Sequence, residues 1–186
     1  MAANTQQART ITTEDHGKLD VRALVLLAVL LAAGFILNFT VGKAISSVSG
    51  GMISPEFIIS AFCLTILVIR PNVGQALIIG LISAAVIQFT TSIPGLNFVT
   101  ELVAALAMAA LIKLDLKVAG RNVTPLAAAF VTTLLSGALF AVAGTLIMGA
   151  ALATVAVKVP LVLGTAVFNA IVVQALYFPL NKVLNR

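Results

Sequence analysis

The sequence predicts an all-α fold: an integral membrane bundle of six transmembrane helices with both termini on the cytoplasmic side. Three observations lead there. The 186 residues are 61% hydrophobic and only 9% charged, where a soluble domain carries about 25% charged residues, and the mean hydropathy is +1.16. Apolar runs alternate with short polar breaks along nearly the whole chain, and no low-complexity linker divides it. The basic residues, finally, fall mainly in alternate breaks. A spanning helix uses roughly 20 apolar residues, so this length holds at most about nine spans and leaves no room for a soluble enzyme module beside them.

Residues 1–22 form a polar tail, expected to be cytoplasmic and poorly ordered. It contains the sole histidine, His16, and lacks the charged, apolar and small-residue order of a signal peptide. Residues 23–186 are expected to form a single membrane domain. The first span covers Ala23 to Thr40, and a Gly/Ser-rich outer connection follows from Val41 to Ile53. The second runs from Ser54 to Ile69 and is closed by Arg70-Pro71-Asn72, because proline stops a helix and biases its predecessor to extended backbone. The third covers Val73 to Thr91 and ends at a Pro-Gly turn, Ser92 to Asn97. The fourth covers Leu96 to Leu114, and the fifth covers Pro125 to Leu152, with Pro125 suited to a first helical turn. The sixth starts near Pro160 and reaches Leu180.

Charge placement tests this partition independently of hydropathy. With the N-terminus inside, Arg9, Lys18, Arg22, Arg70, Lys113, Lys117, Arg121, Lys182 and Arg186 all fall on the cytoplasmic side, and only Lys43 and Lys158 fall outside. That asymmetry is the positive-inside pattern, and five or seven spans would scramble it. The net charge of +5 is therefore a topology signal. It is not a nucleic-acid footprint, since no dense basic patch interleaved with aromatics exists.

Polar groups inside apolar spans carry the chemical information, because lipid disfavours them unless they are paired or face a cavity. Glu101 stands out. It lies one to two turns into the fourth span, with Asn97 four residues earlier on the same helix face and Thr100 adjacent. A carboxylate there suits a substrate amine or cation, and Asn97 adds amide donors and acceptors. A structural hydrogen bond to another helix is the competing account. Asn169 on the sixth span, Gln88 on the third and Thr145 on the fifth are placed to reach the same outer cavity, or to tie helices together. Lys158, just before the sixth span, is placed to attract a carboxylate or to sit exposed at the interface. Glu56 follows Pro55 at a helix start, where the helix dipole and interfacial exposure explain it. Cys63, the only cysteine, excludes an intrachain disulfide and reads as a small buried hydrophobe.

Enzyme motifs are missing. The sequence has no His-Glu-xx-His, no Gly-x-Ser-x-Gly and no phosphate-binding Gly-xxxx-Gly-Lys-Ser/Thr run. A non-enzymatic protein without a cofactor or metal is expected, and any uphill movement of a solute has to draw on an ion gradient or a partner.

On the first span, Ala28 and Ala32 place two small side chains on one face, where another helix backbone can approach closely. Gly137, Ala141, Gly144 and Ala150 recur similarly on the fifth. A six-helix chain of this length, with its N-terminus inside and an Ala-xxx-Ala pair on the first helix, resembles the substrate-binding S component of energy-coupling factor (ECF) transporters, an ABC transporter class. The stretches Gly50-Gly51-Met52 and Thr90-Thr91-Ser92-Ile93-Pro94-Gly95 are similar to those of the tryptophan-transport branch.

The resemblance implies a solute-capture subunit whose pocket lies near the outer surface, between the later helices and the loop after the first. Ala28 and Ala32 would contact the T component, and two cytoplasmic ATPases would supply energy. The expected substrate is a vitamin or an amino-acid-like metabolite, with tryptophan slightly favoured, and the expected location is a prokaryotic plasma membrane. The chain departs from such a pocket in being poor in aromatics, so stacking would rely on Phe39, Phe89 or Phe98. The competing classes are a non-transporting membrane scaffold and a secondary facilitator working alone.

Overall fold

The computed structural model describes residues 19–184; Arg9, His16, Lys18 and Arg186, with most of the expected tail, lie outside the described residues. The protein is all-α. Its helices are α1 (Val21–Leu37), α2 (Lys43–Val48), α3 (Phe57–Ile69), α4 (Val73–Ile87), α5 (Leu96–Leu111), α6 (Thr124–Ile147) and α7 (Val155–Leu184). A two-residue-per-strand hairpin, β1 (Lys117–Val118) and β2 (Arg121–Asn122), connects α5 to α6.

The first helix departs from expectation. It does not end at Thr40 but continues through a π-helical turn, Asn38–Gly42, into α2. Polarity suggested a loop, yet no backbone breaker occurs until Gly50 and Gly51, whose φ angles of 62° and 79° require the left-handed region. The later boundaries also shift. The fourth expected span, α5, stops at Leu111, and the third, α4, stops at Ile87, where Thr90 and Thr91 fold back onto the Ile87 carbonyl. The sixth helix ends at Ile147 because Gly149 (φ 65°) lets Ala150 N–H reach the Thr145 carbonyl, a Schellman-type stop. The last begins at Val155 and keeps Pro160 and Pro179 inside it, which apolar helices tolerate when neighbours satisfy the freed carbonyls.

Local signals place the α3–α4 turn where the sequence put it. Arg70 adopts φ 51° ahead of Pro71 and ends α3. Asn72 then starts α4 through a reciprocal capping box with Gln75, both bonds 2.9 Å.

Buried at the centre is α3. Every residue from Phe57 to Leu67 is buried, Cys63 included, and the helix packs against α1, α4, α5, α6 and α7. A helix apolar all round belongs in an interior. Glycine permits the closest approaches: a Cβ on Gly34 would meet the Phe57 carbonyl oxygen at 2.8 Å, and one on Gly80 would meet Ala105 Cβ at 2.8 Å. Ala28 and Ala32, by contrast, are exposed on the outside of α1.

Among the described residues, three helical stretches are long and apolar enough to cross a membrane: Val21–Val48, Thr124–Ile147 and Leu152–Leu184. Phe57–Ile69, Val73–Ile87 and Leu96–Leu111 are apolar but shorter. Short turns make consecutive helices antiparallel, so Arg22, Arg70, Lys113, Lys117, Arg121 and Lys182 gather at one end of the bundle. There the Arg22 guanidinium donates to the Leu184 carbonyl, and Gln174 ties Leu126 N–H to the Asn122 carbonyl. Lys43 and Lys158 belong to the opposite end.

Candidate functional site: a polar cavity at one end of the bundle

The end opposite the basic residues contains a cavity of about 430 Å³, bounded by the start of α3, the α4–α5 turn, α5, α6 and the first half of α7. Its apolar walls include Ile59, Ile87, Phe140, Leu161 and Val162, and its polar groups include Glu56, Asn97, Glu101, Thr133, Ser136 and Lys158. Size and mixed lining suit a small metabolite.

Glu101 anchors this wall. It is 1% exposed, and its Oε1 accepts from Ser136 Oγ on α6 at 2.8 Å and from Thr100 Oγ1 at 3.4 Å. Among the described residues its Oε2 finds no hydrogen-bond partner, and neither do Asn97 Oδ1 and Thr133 Oγ1, although the Asn97 side chain lies beside the Glu101 carboxylate; all three atoms are buried and belong to residues lining the cavity. Three buried polar atoms without a protein partner, all on residues of one cavity lining, leave hydrogen-bonding capacity beside the cavity. Lys158 lies within the first turns of α7, not ahead of the helix. Its Nζ donates to Thr145 Oγ1 at 2.9 Å while the residue lines the cavity. Thr145, which also donates to the Ala141 carbonyl at 2.7 Å, is a holder of Lys158 and does not itself line the cavity.

Of the other residues singled out in the sequence, two lie elsewhere. Gln88 does not reach the cavity: its Oε1 accepts from Gly95 N–H at 2.8 Å and its Nε2 donates to the Ala84 carbonyl at 3.0 Å, which closes the α4–α5 turn. Asn169 is fully buried and clamps the Glu56 backbone, accepting from its N–H at 3.3 Å and donating to its carbonyl at 3.1 Å.

Glu56 itself is not an exposed, helix-capping acid. Its side chain makes no cap; Asn38, in the π-helical turn, donates to its Oε2 at 3.1 Å and accepts from Phe57 N–H at 2.7 Å. Two asparagines on two other helices thus hold the entrance to α3. A second hollow of about 470 Å³ adjoins the first and shares Ser54, Glu56 and Thr90 with it; Phe39, Lys43 and Phe89 line it further out. The aromatic ring in the main cavity is Phe140, while Phe98 lines neither space.

Ser136, Thr133 and Phe140 escaped the sequence reading. The one available signal is the Thr133/Ser136 spacing, which puts both on one face of an otherwise apolar helix. The fold and the cavity define an all-α membrane protein with a polar site inside its bundle. No protein-family model matches the chain, and no curated protein or solved structure shows significant similarity to it.

Proposed function

We propose that this chain is a solute-capture subunit of an ECF-type importer, six-spanning, with both termini cytoplasmic, in a prokaryotic plasma membrane. The observation that carries the reading is the cavity lining of Glu101, Asn97 and Thr133, each with a buried polar atom that has no protein partner. The cavity lies at the end away from the basic residues, the outer end under the positive-inside rule. The site takes a vitamin or an amino-acid-like metabolite; carboxyl groups from Glu101 and Glu56 and the ammonium of Lys158 on one lining suit a zwitterion such as tryptophan. Exposed Ala28 and Ala32 leave a smooth strip on α1 for a T component, which would link the subunit to two cytoplasmic ATPases.

The experiment is thermal stabilisation of the purified protein by a panel of vitamins and amino acids, combined with co-purification from cells expressing a T component and ATPases. Stabilisation by one panel member and recovery of the complex are expected. Silence across the panel would sink capture and leave a scaffold, and ATP-independent uptake in vesicles containing this chain alone would replace the importer with a facilitator.

A further inference from the structure

The bare atoms also have an order. Asn97 and Glu101 are four residues apart on α5, about 6 Å along the axis. Ser136 is level with Glu101, to which it bonds at 2.8 Å, and α6 runs antiparallel to α5. Thr133, one turn before Ser136, is therefore one turn deeper than Glu101, while Asn97 is one turn shallower. Asn97, Glu101 and Thr133, each with one buried polar atom that lacks a protein partner, thus stand in order of depth on the cavity lining. Asn97 Oδ1 and an ionised Glu101 carboxylate are acceptors only, and the Thr133 hydroxyl accepts as well as donates.

A ligand that satisfies this series presents hydrogen-bond donors, more than one of them, next to a carboxylate. Ser136 and Thr100 both donate to Oε1, which leaves Oε2 as the carboxylate oxygen with remaining capacity. Lys158, the cation on the lining, is engaged by Thr145 and not by either acid. The other acid, Glu56, receives its bond from Asn38. Ile59, Phe140 and Val162, also on the lining, offer apolar surface and no competing donor.

Resting on the solute-capture reading, we infer that the ligand's head group is a nitrogen cation carrying at least two N–H donors, docked at Glu101 with a second donor directed to Asn97 or Thr133, one turn away on either side. A primary ammonium and an amidinium both meet that requirement. Tertiary and quaternary amines, which keep the charge and lose the donors, do not, and neither do neutral alcohols or carboxylates. Apolar walls favour a hydrocarbon or aromatic body behind the head.

The test uses the full-length purified protein and a matched series: benzylamine, benzamidine, N,N-dimethylbenzylamine, benzyltrimethylammonium, benzyl alcohol and benzoate. Binding is read by thermal stabilisation and by displacement of any metabolite found in the capture panel. Benzylamine and benzamidine are expected to bind, and the dimethyl and trimethyl compounds to bind about 10- to 100-fold more weakly, the effect of losing charge-assisted hydrogen bonds. E101Q is expected to weaken the two donors by a similar factor. Equal binding by the trimethyl compound, or preference for benzoate or benzyl alcohol, overturns the inference and leaves solute capture standing. Silence from this series beside a stabilising neutral or anionic metabolite does the same, whereas silence from both series and panel removes the capture reading as well. The methylation series on the unmodified protein decides the matter even if E101Q fails to fold.

Discussion

Ser136 on α6 donates a 2.8 Å hydrogen bond to Oε1 of Glu101 on α5, and both side chains are buried. That bond joins two antiparallel helices at the level of the cavity and leaves the other carboxylate oxygen without a protein partner. Replacing Ser136 with alanine therefore acts on the helix pair and on the site together. S136A is expected to destabilise the protein by about 0.5–2 kcal/mol, the range for a buried hydrogen bond between apolar helices. Heat denaturation in detergent measures it; an unchanged midpoint would mean that the bond contributes nothing.

Asn169 holds Glu56 by its backbone N–H and carbonyl across from α7. The carbonyl retains Ser60 N–H at 3.1 Å as a second partner, so N169L orphans chiefly the Glu56 N–H. A cost of about 1–3 kcal/mol is expected. Because the start of α3 would loosen, protease cleavage between Ser49 and Glu56 should accelerate. Unaltered cleavage in N169L would show that the clamp is dispensable.

Gly80 allows α4 to touch α5: an added Cβ would meet Ala105 Cβ at 2.8 Å and the Glu101 carbonyl oxygen at 3.0 Å. G80A should cost about 1–3 kcal/mol by overpacking. The matched control is G74A on the same helix, where the nearest atom is Asn72 Oδ1 at an ordinary 3.5 Å; the helix preference for alanine should make that change neutral or stabilising. Equal midpoints for the two variants would contradict the packing described for α4 and α5.

Ala28 and Ala32 are exposed, so enlarging them should leave the isolated chain within about 0.5 kcal/mol of its original stability. The A28W/A32W double variant is expected to bind ligand normally and to lose co-purification with a T component. Retention of the complex would move the docking surface elsewhere, and collapse of the fold would show that the alanines face inward.

Much of the helical layout was legible because proline, glycine and capping residues act locally. Arg70-Pro71-Asn72 ended and restarted helices where expected, since the left-handed Arg70 and the Asn72 capping box need no distant partner. The outer connection after the first span was misread because serine and glycine lower hydropathy without breaking a helix, so α2 continues to Val48. Glu101 was visible as an acid among apolar residues. Asn97 followed from helical spacing, and Thr100 from its place next to Glu101 in the chain.

Sequence alone thus determined the composition of the helices, the basic segregation toward one end and the position of the acid in need of a partner, all properties of single residues or of neighbours within a few turns. Tertiary structure decided which hydroxyls serve that acid. Thr65, Ser83 and Thr145 all turn back to the carbonyl four residues earlier, as Ser and Thr in helices commonly do. Ser136 turns outward to Glu101 instead. In an apolar helix these hydroxyls are indistinguishable by composition or spacing, because only the facing helix supplies the acceptor that draws one of them away from its own backbone. The same holds for Glu56, an ordinary helix-start acid until Asn38 and Asn169 close on it from two other helices.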